Sequence, residues 1–356
     1  MKKLLKRLAA GVILPSMLIL GACGGGGGET SDNGGEQTPD SGSEASEDVK
    51  TINAGIGHPE SNPLGQGLVK FKELVEEKSE GKIKVNTYFD ATLGDDLKMT
   101  EALQAGTQEM TIPSTSPLVG ILPELAAFDL PFVFNNEEEA DAILDGEVGQ
   151  KMMEKLPDLG LIGLGYWENG FRQITNSKRP IEKAEDLKGL RIRTMQNEVH
   201  LEAFKELGAN PQPMAFSEVF TALENNTIDG QENPIPTIYT QGFHEVQDYM
   251  SITNHVYTPY IVLISKKFWD TLSDEEKQIL QEAAIEAGKY QREVNRAENE
   301  ETLKTLEEVG MQINVMEDAE RERMQEILKP LNEKYAEQIG PIAQEMFEAL
   351  EQLRGN

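Results

Sequence analysis

The chain has 356 residues, with 33 Lys and Arg against 62 Asp and Glu, a formal net charge of -29 and 38% hydrophobic residues. A surface this acidic repels phosphate backbones and excludes generic binding to nucleic acid or anionic membrane. The apolar content is too high for a wholly disordered chain, and the length suits about two domains. The single Cys excludes an intrachain disulfide and any multi-Cys metal site. His58, His200, His244 and His255 take neither an H-x-x-x-H nor an H-x-H spacing, so a zinc hydrolase is not expected, and no metal or cofactor is called for.

Lys2, Lys3, Lys6 and Arg7 precede an apolar run from Leu8 to Leu20, 13 residues long. A helix of that length cannot cross a hydrocarbon core of ~30 Å, so residues 1–22 read as a signal peptide. Leu20-Gly21-Ala22-Cys23 resembles the lipobox of bacterial lipoproteins, in which the Cys thiol receives a diacylglyceryl group. Residues 24–50 are almost entirely Gly, Ser, Thr, Asp, Glu, Gln and Asn and bury too little to offset chain entropy. They form a disordered tether, and the Gly24 to Gly28 run is no phosphate loop because no strand enters it and no helix leaves it.

From Thr51 strand and helix patterns alternate, which predicts α/β layers around a mostly parallel sheet. Thr51 to Ile56 reads as a strand. Leu64, Leu68, Phe71, Leu74 and Val75 form a helical stripe ended by Gly81. Ile83 to Phe89 alternates as a strand, a helix near Asp96 to Gln104 stops at Gly106, and Met110 to Pro113 forms a third strand. A Pro-rich segment through Pro131, one helix over 137–155 and a strand from Leu161 to Tyr166 complete the first unit. The second begins near Asn169, with strands over Phe171 to Thr175 and Leu190 to Thr194, a helix from Glu198 to Leu207 closed by Gly208, and a helix capped by Ser217. Thr258 to Ser265 is a further apolar strand. Ser273-Asp274-Glu275-Glu276 is a capping box opening a helix that runs toward Gly310, about 54 Å long, which must lie across both units.

The stretch from Glu168 to Asn233 carries ENGFRQITNSKRPI, DLKGLRIRT, ELGANPQPMAFSEVF and IDGQENP, with LPELAAFDLPFVF upstream. In order and spacing these motifs resemble the DctP-type solute-binding proteins of tripartite ATP-independent periplasmic (TRAP) transporters, over nearly all of residues 51–356. The resemblance implies an α/β, two-domain periplasmic-binding-protein-like clamshell with a long helix spanning both domains. It divides the chain into 51–169 plus about 259–298 as domain I and 170–258 plus about 299–356 as domain II. Its implied partners are a small organic acid, the small and large TRAP membrane subunits, and the membrane through a lipid on Cys23 at the extracytoplasmic face.

By the same resemblance Arg193, in the GLRIRT-type motif, grips the ligand carboxylate. Arg172 supplies a second guanidinium, Asn233 a polar contact, and Phe216 packs on the ligand. The residues themselves agree with these roles. A buried carboxylate must be paired, and the planar Arg fork donates two parallel hydrogen bonds to it. Arg193 also ends a predicted strand, where open α/β sheets hold ligands. Alternation puts Arg191 on the same face, and Arg179 lies near Arg172, so spacing alone does not choose among them. Asn233 falls in a turn-rich stretch where Asn is commonly a turn former. His58 and Glu60 follow the first strand and Ser114, Thr115 and Ser116 the third, at strand ends facing the cleft, where loop capping is the competing role. Tyr166 and Trp167 either stack on a sugar face or anchor a hinge.

Within the family YWENGFRQITNSKRP, RTMQNEVH and NHVYTP most resemble the sugar-acid branch, whose ligands include hexuronates and aldonates. Gln196, Asn197 and His200 suit the same hydroxyl-rich ligand. A C4-dicarboxylate, with Arg172 as the second cation, stays open, as does a sensory binding protein presenting its ligand to a membrane receptor. An enzyme on this scaffold is not expected, since a G-x-S-x-G elbow, a thiol left free after lipidation and metal-ligand spacing are all missing.

Overall fold

The computed structural model describes residues 49–355, so the signal segment, Cys23 and most of the tether lie outside the described residues. The chain starts as β1 (Lys50–Gly55), α1 (Pro63–Lys78), β2 (Ile83–Tyr88), α2 (Asp96–Ala105) and β3 (Met110–Thr111). Pro63 opens α1 where its missing N–H costs nothing, the Asn62 side chain accepts from the Leu64 amide, and Leu64, Leu68, Phe71, Leu74 and Val75 are buried. Two short 3-10 turns over 116–120 and 123–129 lead to α3 (Glu137–Leu144), α4 (Glu147–Met153) and β4 (Leu161–Phe171). The single helix expected over 137–155 is therefore two, parted at Asp145 and Gly146.

The second lobe holds β5 (Gln173–Asn176), β6 (Arg191–Thr194), α5 (Glu198–Glu206), β7 (Asn210–Pro213), α6 (Val219–Glu224), β8 (Gly230–Asn233), α7 (Ile235–Thr240) and β9 (Tyr249–Ile252). The chain then returns through β10 (Tyr257–Ser265) to α8 (Lys266–Trp269) and α9 (Asp274–Glu308), and ends in β11 (Gln312–Val315), α10 (Asp318–Ile339) and α11 (Pro341–Arg354). Ser217 does not cap a helix: Phe216 to Glu218 form a 3-10 turn, and it is the Glu218 carboxylate that accepts from the Ala215 amide. The expected Phe171 to Thr175 strand is split at Arg172, between the end of β4 and the start of β5.

Two sheets result, with strand orders β2-β1-β3-β10-β4 and β11-β9-β5-β8-β6-β7. Each is mostly parallel, as expected, with a single reversed strand, β10 in the first and β5 in the second. β10 runs antiparallel to β3 and β4, and β5 runs antiparallel to β8 and β9. The physical reason is the connection itself: β4 leads out of the first sheet into β5, β9 leads back into β10, and two such passages side by side must run in opposite directions. All nine residues of β10 are buried, as expected of a strand flanked on both edges and covered on both faces.

The capping box predicted at Ser273 is present, with the Ser273 side chain accepting from the Glu276 amide and the Glu276 carboxylate from the Ser273 amide. It opens the 35-residue α9, about 52 Å long. The N-terminal half of α9 packs on α1 and β4, and Leu306 near its far end joins the core of Val219, Leu223, Ile228 and Met250 in the second lobe. Trp167 on β4 is clamped where α1 and α9 meet: its Nε1 donates to the Ala284 carbonyl at 3.0 Å, and a Cβ added at Gly288 would stand 2.7 Å from the indole. The C-terminal α11 packs on α3, α4 and the 123–129 turn, tied by Lys151 to Glu345 and by Arg354 to Glu139. The allocation of 299–356 to the second lobe therefore does not describe α11, which lies on elements that precede β4.

Candidate functional site

The cleft between the sheets is bounded by chain segments that leave strand ends. His58 follows β1 and Ser114 follows β3; Arg172 sits between β4 and β5; Arg193 lies in β6, Phe216 in the turn before α6, and Asn233 closes β8. These six side chains line one cleft with about 450 Å³ of space, its mouth included. The lobes touch across it. The His58 ring stacks on Phe216 with centroids 4.5 Å apart, and the Ser114 hydroxyl lies 3.5 Å from Met195 Sδ.

The two guanidinium groups differ sharply in their surroundings. Arg172 is 1% exposed and paired: Nε and Nη2 grip both carboxylate oxygens of Glu232, and Nη2 also donates to the Glu232 carbonyl at 2.6 Å and to Asn233 Oδ1 at 3.1 Å. Burial alone would raise the Glu232 carboxyl, but the Arg172 charge, with the nearby His255 and the hydrogen bonds from Arg172, holds it well below the usual carboxylate range. His255 Nε2 stands 3.4 Å from the same carboxylate. Asn233 donates through Nδ2 to Gln231 Oε1, so both ends of its amide are engaged.

Arg193 is 2% exposed, and its Nε and Nη2 both donate to the Met214 carbonyl, at 3.2 and 2.9 Å. Its Nη1 is buried without a hydrogen-bond partner. Burial pulls the group down to about 10, which leaves it protonated at neutral pH. A charged nitrogen left bare in the interior is a costly arrangement, and an anion in the cleft relieves it.

The opposite wall carries no cation among these residues. Burial, then the charge of Arg172, lowers His58 to about 3, so the imidazole is neutral, and its Nε2 shares a hydrogen bond of 3.1 Å with the Tyr260 hydroxyl. Asp96, in the first turn of α2, was not singled out by the sequence. It lines the cleft, its Oδ2 accepts from the Ser114 amide at 3.1 Å, and burial raises its carboxyl to about 6. Asn169, Met195 and Tyr260 are further lining residues that no local pattern marked.

Several rivals fall elsewhere. Arg191 is bound bidentately to Asp229 at 2.8 and 3.0 Å, and Arg179 donates to the carbonyls of Asp186 and Lys188. Gln196 does line the cleft. Asn197 points instead to Ser116 and Asp129, with His200 beside Asp129. Glu60 is exposed outside the cleft. Trp167 and Tyr166 are core residues, the former donating to the Ala284 carbonyl and the latter to the Gly149 carbonyl at 3.1 Å, and neither lines the cleft.

Two lobes joined by antiparallel crossing strands and a shared helix, closed over a cleft with an unsatisfied buried cation, define the class of extracytoplasmic solute-binding proteins. The chain belongs to the DctP family of that class, bacterial extracellular solute-binding protein family 7, which matches residues 54–338. A crystal structure of the sugar acid binding protein DctPAm from Advenella mimigardefordensis, in complex with galactonate, is similar at a TM-score of 0.84 and 44% identity, covering 86% of this chain and 99% of that one. The 2,3-diketo-L-gulonate-binding periplasmic protein YiaO of Escherichia coli is 40% identical over 244 residues, 68% of this chain and 74% of its own length. The C4-dicarboxylate-binding protein DctB of Bacillus subtilis is 37% identical over 295 residues, 83% of this chain and 84% of its own. Within the TRAP solute-binding proteins the chain is most like the sugar-acid-binding branch. Among the described residues no helix is long and apolar enough to cross a membrane.

Proposed function

We propose that this protein is the solute-binding lipoprotein of a TRAP transporter, anchored through Cys23 at the extracytoplasmic face. It captures a sugar acid such as a hexuronate or aldonate and delivers it unchanged to the membrane subunits. The observation that carries this reading is the Arg193 guanidinium, whose Nη1 is buried in the cleft with no partner. A ligand carboxylate there meets a preformed cation without displacing a protein counter-ion. Arg172, closed on Glu232, holds Asn233 in place and adds no net charge to the pair. Phe216 covers one side of the ligand, and His58 and Ser114 meet its hydroxyls.

Binding contacts made by both lobes at once draw the closed form out of the open one, with the hinge at the passages between β4 and β5 and between β9 and β10. Calorimetric titration with galactonate, galacturonate, glucuronate and succinate tests the reading. One or more of the sugar acids binds at one site per chain, and each is recovered unchanged. Binding to none of these carboxylic acids contradicts it, and turnover of any of them makes the protein an enzyme.

A further inference from the structure

We propose that Asp96 is a specificity-determining residue of this site: its carboxylate receives a hydroxyl of the bound acid and, by its charge, turns away a ligand that carries a second carboxylate. The inference rests on the sugar-acid reading above and extends it from the anchored end of the ligand to the other end.

The geometry points this way on three counts. Asp96 is rigidly held. Asp95 caps α2 by accepting from the Lys98 amide, Asp96 takes the next position, and the Ser114 amide fixes its Oδ2. Its Oδ1 makes no hydrogen bond among the described residues and opens on the cleft beside Gly57, where an added Cβ would lie 3.7 Å away. An ionised carboxylate only accepts, so what it lacks is a donor, and a hydroxyl is the neutral donor a polyol chain supplies. The third count is charge. Arg172 is matched by Glu232, which leaves Arg193 against Asp96. A monocarboxylate is served by Arg193, whereas a second carboxylate enters a water-poor cleft facing Asp96 with no cation left for it. Two carboxylates in such a site cannot both stay ionised, so a proton must be taken up.

The charged and titratable groups that face Asp96 agree. Burial, with the neighbouring Asp95, raises its carboxyl, and the Ser114 amide and Arg193 from β6 oppose them. Around these stand His58 after β1, Tyr260 on β10 and Arg172 at the hinge, while Lys98 on α2 is drawn to Asp95 and Glu218 acts on Arg193 and Lys98.

The test is calorimetric titration of galactonate and succinate into the wild-type protein and Asp96→Asn, which keeps the shape and removes the charge. At pH 7.5 the substitution weakens galactonate about tenfold or more, the scale of a hydrogen bond to a charged acceptor, and tightens succinate. In the wild type, succinate binding takes up a proton and strengthens between pH 7.5 and 5.5 while galactonate binding does not; this arm needs no variant and stands even if Asp96→Asn fails to fold. Parallel changes for the two acids in Asp96→Asn, or succinate binding to the wild type without proton uptake, overturn the inference and leave the proposed function intact. Wild-type protein that binds neither these nor the other carboxylic acids fails on the proposed function itself, and the inference falls with it.

Discussion

The two walls of the cleft solve opposite problems. The wall built from the passage into β5 and from β6 and β8 carries both guanidinium groups, one charge-paired with Glu232 and one left with a bare Nη1 and no carboxylate bound to it among the described residues. The wall built from the loops after β1 and β3 and from the start of α2 carries a neutral imidazole, a hydroxyl and a carboxylate, and no cation among its lining residues. A ligand held between them must be anionic at one end and hydrogen-bonding at the other. Affinity for the carboxylate thus resides in one lobe and discrimination in the other, and only the closed form uses both. The division also answers the charge problem set by a net -29: one local cation in a dry cleft outweighs a distant, solvent-screened field.

Breaking the cationic wall costs most. Glu232→Ala leaves Arg172 buried and unpaired, and about 3–5 kcal/mol of unfolding free energy is lost, read by chemical denaturation. The neutral wall is probed by pH. His58 has its folded value lowered from 6.5 to about 3, so the unfolded chain binds its proton first. Its contribution is present above 6.5 and is lost as pH falls toward 3, amounting to about 2 kcal/mol between pH 7 and pH 5. His58→Asn removes that slope, seen in melting curves at the two pH values. Asp96 works in the other sense. With its folded value raised to about 6, its contribution is complete at low pH and is lost as pH rises through 6, so Asp96→Asn is stabilised relative to wild type above pH 6. The contact between the walls is the smallest effect. Phe216→Ala removes the stack on His58, worth about 1 kcal/mol, and galactonate binding weakens several-fold with little change in melting temperature.

Much of the scaffold was legible because its signals are local. The Ser273 capping box, the stripe from Leu64 to Val75 and the Gly106 stop each need only neighbouring residues. β7, whose sequence is Asn-Pro-Gln-Pro, carried no strand signal because proline lacks the ladder donor and survives only at an edge. β9 and β11 are four-residue strands set by pairing partners 63 residues apart along the chain, whereas α10 buries Met324, Leu328, Leu331 and Tyr335 and α11 buries Ile342, Met346 and Leu350 at helical spacing, a local signal as legible as that of α1.

The site divides in the same way. Arg191 and Arg193 share a face of β6, and what separates them is Asp229, which reaches Arg191 from across the strand pair. Only the motif could choose between them in advance. Asp95 and Asp96 look alike as a capping pair, yet one carboxylate closes the helix and the other faces the cleft, because α2 docks beside Ser114. The Arg172 to Glu232 pairing joins residues 60 apart along the chain, so the neutralisation of one of the two expected cations could not be read from either segment alone.

The most direct test of the central claim is calorimetric titration of galactonate into Arg193→Gln beside Arg191→Gln, two changes of equal chemistry two residues apart. Loss of about 2 kcal/mol or more of binding free energy in Arg193→Gln, with wild-type affinity in Arg191→Gln, is the result the account predicts. Galactonate binding that survives in a folded Arg193→Gln at wild-type strength would contradict it.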